Sequence, residues 1–169
     1  MLLNIAELST QDTIIYNSIT NRITYDFNAS GVAKSEVIDN PSEKQKEMIY
    51  GYFGGFHDCF LKKITFDSVN RELCIEVISE DKYQILCVIR CIGVSNMILP
   101  VESPWNTRTL FINDAFIEGE WLEIELLTGD LWRIKGDTYI FQSTGKVEFG
   151  LPRNARYYPE DKIPGATEE

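Results

Sequence analysis

Along much of the chain, apolar and polar residues alternate with a period of two, the mark of half-buried strands. In Ile23-Thr24-Tyr25-Asp26-Phe27 the apolar side chains take one face, and Thr24 and Asp26 take the other. Residues 71–79 (RELCIEVIS) and 82–92 (KYQILCVIRCI) are rich in β-formers and are separated by Glu80-Asp81, which predicts an adjacent antiparallel pair. The second run is apolar on both faces, as a central strand is. Further on, the dipeptides Gly129-Asp130, Gly136-Asp137 and Gly145-Lys146 punctuate the runs 121–127, 131–135, 138–142 and 147–149. Glycine at the first central position suits a two-residue hairpin turn, so these four runs read as a meander. The pattern changes to a helical period once, near residues 41–52. There Asn40 offers a cap, Pro41 a first helical position and Glu43 a carboxylate three residues after the cap. Gln45, Met48, Ile49 and Tyr52 then share one face, and Gly51, Gly54 and Gly55 end the element.

The predicted fold is therefore β-rich, in the range from all-β to α+β. It is an antiparallel meander of about eight or more strands, forming a bent sheet or a two-layer sandwich with one helix near residues 41–52. A chain of 169 residues is one domain's worth, so 1–169 reads as a single β-rich domain without internal repeat or linker. Residues 151–169 hold three prolines and end in Ala-Thr-Glu-Glu; they read as an extended, partly loose tail.

Charge narrows the function. Sixteen Lys and Arg against 26 Asp and Glu leave a net charge of −10. Nucleic-acid binders draw affinity from neutralising phosphates with Lys and Arg, and anionic membrane surfaces attract the same residues. This chain repels both, so neither nucleic acid nor membrane is an expected partner, whereas a basic protein is. The N-terminus MLLNIAELSTQD lacks a basic region and a small-residue cleavage site, so it does not read as an export signal. Cys59, Cys74, Cys87 and Cys91 sit within strand-like runs and read as free, mostly buried thiols. Cys59 and Cys74 would become neighbours if residues 61–67 pair with 71–79. No glycine-rich phosphate cradle occurs, so no nucleotide cofactor is expected.

The densest patch of candidate chemistry is Gly54-Gly55-Phe56-His57-Asp58-Cys59, which contains the single histidine of the chain. One histidine, and cysteines without Cys-x-x-Cys spacing, fall short of zinc and His-Asp metal chemistry, so no metal is expected. Cys59 with His57 as base is a thiol-hydrolase arrangement. In an extended segment the two Cβ atoms would lie roughly 6–7 Å apart, with Asp58 pointing away, which is loose for a nucleophile and its base. The structural alternative is a corner between helix and strand. There His57 and Asp58 bond neighbouring backbone, and Gly54 and Gly55 supply the unusual φ angles.

Residues 53–59 (FGGFHDC), followed by Leu61-Lys62-Lys63-Ile64-Thr65-Phe66-Asp67 and a strand with Leu73, Ile75 and Val77, resemble a pattern in small bacterial proteins. In these a Phe-His-Asp-(Ala/Cys) motif opens a β-rich domain. The family resembled is immunity protein 50 of bacterial polymorphic-toxin systems. That resemblance implies a cytoplasmic, non-catalytic protein that binds and neutralises a cognate toxin.

A charge asymmetry offers a surface for such a partner. Residues 109–132 contain no Lys or Arg, yet they include Asp114, Glu118, Glu120, Glu123, Glu125 and Asp130. In the run 121–127, Trp121, Glu123 and Glu125 share one face and Leu122, Ile124 and Leu126 the other. Asp114, Glu118, Glu120, Trp121, Glu123 and Glu125 are the expected partner-binding residues: an acidic surface with an aromatic anchor. The alternative is an ordinary solvated sheet face.

Overall fold

The computed structural model describes residues 12–27, 34–52, 56–79, 85–100 and 111–147. The chain forms β1 (Thr13–Asn17), β2 (Arg22–Phe27), β3 (Lys34–Asp39), α1 (Glu43–Tyr52), β4 (Phe60–Asp67), β5 (Glu72–Ile78), β6 (Ile85–Ile92) and β7 (Asn96–Ile98). Then follow β8 (Ile112–Glu118), β9 (Trp121–Leu126), β10 (Leu131–Lys135) and β11 (Thr138–Val147). The strands make a seven-stranded sheet, in the order β3-β2-β1-β11-β6-β5-β4, and a four-stranded sheet, in the order β7-β10-β9-β8. All pairings are antiparallel. The fold is β-rich with a bent sheet that does not close into a barrel. No helix among the described residues is long and apolar enough to cross a membrane.

The period-two pattern explains the layers. Ile14, Tyr16, Ile23, Tyr25, Leu73, Ile75, Val77, Cys87, Ile89, Cys91, Tyr139 and Phe141 point inward from the large sheet. Ala115, Ile117, Leu122, Ile124, Leu126, Trp132 and Ile134 point inward from the small one, and Ile49 of α1 and Phe56 join the same core. β6 lies between β11 and β5, the central place that its two apolar faces require.

Three local readings change. First, the C-terminal strands are not one meander. β9 and β10 pair, but β10 then pairs with β7, while β11 crosses to the large sheet between β1 and β6. Gly136-Asp137 is therefore a crossing between sheets, stitched by Asp137 N–H donating to the Ile92 carbonyl at 2.8 Å. Gly145-Lys146 falls inside β11, at a register irregularity between Ser143 and Val147, and not in a turn. β11 is paired on both sides over Thr138–Gln142, and beyond Ser143 it continues beside β6, which it meets again at Val147. Second, the β9–β10 connection is closed by Gly129 N–H bonding the Leu126 carbonyl, with Gly129 at φ 92°. Glycine is last in a three-residue loop, where the left-handed region is needed, and not first in a two-residue one. Third, the helix cap is Ser42. Its hydroxyl accepts the Gln45 N–H at 3.2 Å, and the Gln45 side chain accepts the Ser42 N–H at 2.9 Å, a reciprocal capping box. Asn40 sits before it at φ 48° and donates its N–H to the Asn21 carbonyl.

Two hairpin loops are built alike from similar sequence, NSITNR at 17–22 and DSVNRE at 67–72. Asn17 Oδ1 accepts the N–H groups of Ile19 and Thr20, and Asp67 Oδ1 accepts those of Val69 and Asn70. Asn21 and Arg71 hold the matching left-handed position, at φ 51° and 53°.

Two buried phenols brace the core. The Tyr139 hydroxyl accepts the Gly136 N–H at 2.9 Å and lies 2.6 Å from the Glu120 carbonyl, tying the large sheet to the β8–β9 turn. The Tyr25 hydroxyl bonds the Glu36 carboxylate of β3. Burial pushes both phenols up to about 12 from the usual 10, with Glu36 adding to the shift at Tyr25. The unfolded chain thus releases these protons first. Stability should fall as pH climbs from about 10 to 12. Urea unfolding across that range, followed beside phenolate absorbance, checks this; a midpoint that stays level would contradict it.

All four cysteines are free: Cys59, Cys87 and Cys91 are buried and Cys74 is half-buried. Cys59 and Cys74 are not neighbours. Cys74 pairs in register with Thr65, whereas Cys59 precedes Phe60, which pairs with Ile78 at the other end of β5. Burial raises the Cys74 and Cys91 thiols. A thiol reagent at neutral pH should therefore label one group of the native protein, Cys74, and slowly; all four should react after unfolding without reductant. Rapid modification of more than one thiol in the native protein would refute this.

Candidate functional site

The site is built where the chain returns from α1 to the large sheet. Gly54 and Gly55 lie outside the described residues. The left-handed positions of the corner fall on Phe56 (φ 56°) and Asp58 (φ 59°). Phe56 is buried, with its ring 6.1 Å from that of Phe141, and its carbonyl accepts the Cys59 N–H at 3.0 Å. The next residues run beside the start of β8. Asp58 N–H donates to the Ile112 carbonyl at 2.7 Å, Ile112 N–H donates to the Cys59 carbonyl at 3.0 Å, and Phe60 bridges to Phe111. This corner joins the two sheets.

His57 and Asp58 lock it. His57 Nδ1 lies 2.6 Å from the Asn113 carbonyl oxygen, and Nε2 lies 3.1 Å from Asp58 Oδ2. The Asp58 side chain is 4% exposed and the imidazole 53%. Both ring nitrogens face oxygen acceptors, and neither is left to act as a base toward Cys59. Cys59 itself is 1% exposed, which gives a substrate no surface to approach. Among the described residues no group of three or more His, Cys, Asp or Glu is placed to hold a metal ion.

The acidic stretch meets this corner on the outer face of the small sheet. Trp121, Glu123 and Glu125 point outward from β9, and Leu122, Ile124 and Leu126 are buried, as their alternation requires. The cross-strand partners decide the charge. β10 places Arg133 opposite Glu123 and Lys135 opposite Trp121. Arg133 Nε lies 3.1 Å from Glu123 Oε1, and its guanidinium sits 4.4 Å from the centre of the Trp121 ring. Lys135 Nζ lies 3.2 Å from Glu120 Oε2. Glu120, Trp121 and Glu123 thus each contact a cation just beyond the window 109–132, although Glu120 stays largely exposed. The observed β9–β10 register sets these pairs; the two-residue Gly129-Asp130 turn expected from the sequence would have put Arg133 opposite Leu126, and a linear charge window ignores pairing altogether.

The uncompensated charge gathers elsewhere. Asp114 and Glu125 face each other across β8 and β9, and Glu118 is exposed at the end of β8. Asn113 Nδ2 donates to Glu125 Oε1 at 3.2 Å, and Ala115 N–H donates to Asp114 Oδ1 at 2.9 Å. Partial burial raises the Asp114 carboxyl above its ordinary range, Glu125 adds to this, and the Ala115 N–H and His57 oppose it. His57 therefore lies near enough to act on the Asp114 carboxyl. The corner and the acidic face, far apart in sequence, form one continuous surface, with Asn113 contacting both.

Compared with known proteins, the chain matches no family model, no curated protein and no solved structure.

Proposed function

We propose that this is a non-catalytic binding protein whose outer β8–β9 face, with Asp114, Glu118 and Glu125 at its centre, docks a basic protein. The partner class follows the resemblance to immunity proteins: a toxin domain encoded beside this chain's gene, neutralised by being covered. The observation that carries the reading is the Asp114–Glu125 juxtaposition. Two carboxylates directly opposite on neighbouring strands oppose folding, and neither has an ion-pair partner among the described residues. An incoming Lys or Arg relieves that repulsion on binding. The buried Cys59 and the fully engaged His57 ring support binding over hydrolysis at the corner. The test is to mix the protein with that toxin domain. A stoichiometric complex and loss of toxin activity are expected, with affinity falling as salt rises. Absence of a complex at low salt would remove the proposal.

A further inference from the structure

Away from the corner, an open cavity of about 300 Å³ is lined by Phe66, Arg71, Val94, Ser95, Asn96 and Met97. Phe66, one residue before the end of β4 and paired with Leu73, is 42% exposed and offers an aromatic face to the cavity. Met97 comes from β7, an edge strand of the small sheet, and Val94 from the β6–β7 connection. Arg71 is held in place. Its Nε donates to the Val94 carbonyl at 2.7 Å, and the Val94 N–H donates to the Arg71 carbonyl at 2.9 Å. Of the described arginines, Arg22, Arg90 and Arg133 each pair with a carboxylate, of Asp39, Glu72 and Glu123, and Arg71 has none. It also occupies a left-handed backbone position, which costs a residue with a Cβ more than it costs Gly, Asn or Asp; the matching place in the β1–β2 loop is filled by Asn21. Asn96 is exposed, and its side chain makes no hydrogen bond to another described residue. A clamped guanidinium with free donors, a free amide and an open apolar wall thus meet in one cavity, in a chain whose net charge is −10.

We propose that this cavity binds a carboxylate attached to an apolar group. The carboxylate sits in the fork of Arg71 with the Asn96 amide beside it, because a planar guanidinium presents paired donors that match a carboxylate. The apolar group lies against Phe66 and Met97. The same chemistry is offered by a free aliphatic acid or by the C-terminus of a protein chain ending in an apolar residue.

The probe is octanoate, titrated calorimetrically into the full chain. A ligand of this size is expected to bind on the order of 1 mM or tighter. Octan-1-ol should bind at least about tenfold more weakly, since it lacks the charge. Arg71→Asn should also weaken octanoate about tenfold while the chain stays folded, because the easier left-handed backbone of asparagine offsets the lost bond to the Val94 carbonyl. Arg71→Gly removes the same guanidinium with even less backbone demand and serves if the first variant folds poorly. A second arm compares acetyl-Gly-Gly-Leu as free acid and as amide. Binding of the free acid alone identifies a chain terminus as the source, and binding of octanoate without either peptide identifies a small acid. No saturation by octanoate up to about 10 mM, or equal binding by folded Arg71 variants, would overturn the proposal.

Discussion

Replacing Asp58 by alanine should lower the unfolding free energy by about 3 kcal/mol, summing a charged hydrogen bond and a backbone strain term. The carboxylate is buried against the His57 ring, and a hydrogen bond to a charged group contributes about 1.5–3 kcal/mol. Its loss leaves His57 Nε2 without that acceptor. In addition, residue 58 holds φ 59°, where aspartate is tolerated and alanine costs about 1 kcal/mol or more. The damage is focused on the corner, because residues 58 and 59 carry the backbone bonds to Ile112 that join the sheets. Asp58→Asn keeps the local preference for a left-handed backbone and should lose about half as much. Chemical denaturation of both variants measures this. An alanine variant within about 0.5 kcal/mol of the parent would show that the corner does not depend on this carboxylate.

Glu118→Lys with Glu125→Lys should slow association with a basic partner about tenfold at low salt, while changing dissociation much less. Long-range attraction acts on encounter, and exposed charges are screened beyond ~8 Å at physiological ionic strength, so the difference should shrink as salt is added. Glu123 makes a poor probe of the same idea. A lysine there would face Arg133 and disturb the sheet itself. Trp121→Ala should also loosen Arg133, which rests over the ring, so its effect on dissociation must be read beside its effect on stability. Stopped-flow kinetics at two salt concentrations decides the matter. An association rate unchanged by the double reversal would make this face an ordinary solvated surface.

Strand identity was legible because alternation reports directly on which face is buried. The 71–79 and 82–92 pair, the central place of the second run and the outward set Trp121, Glu123 and Glu125 all follow from it. Connectivity was not legible at Gly136-Asp137, because the same glycine-containing dipeptide suits a hairpin and a crossing between sheets. The choice rests on which distant strand offers an open edge, here β1 with β6. The cap was misplaced by two residues because Asn40-Pro41-Ser42 offers two polar starts. Gln45 decides, since its side chain returns to Ser42 and not to Asn40. Of the site, the residue types were visible and their proximity was not. Nothing in the spacing of His57 and Asp114 announces that residues 58–60 run along β8.

One strand placed in the middle of the large sheet has a consequence for how the protein is made. β11 joins Thr13 to Gln142 and Tyr139 to Cys91, so within the sheet the hairpin group β1–β3 is linked to the group β4–β6 through the last described strand. During synthesis from the N-terminus, β1 and β6 each wait with an unsatisfied edge until nearly the whole described chain has emerged. Closure therefore comes late, over long sequence separations, in the regime where β-rich chains fold in milliseconds to seconds and not microseconds. A nascent chain stalled before residue 138 would expose two sticky strand edges at once, which makes the final strand the step that ends the risk of aggregation on the ribosome.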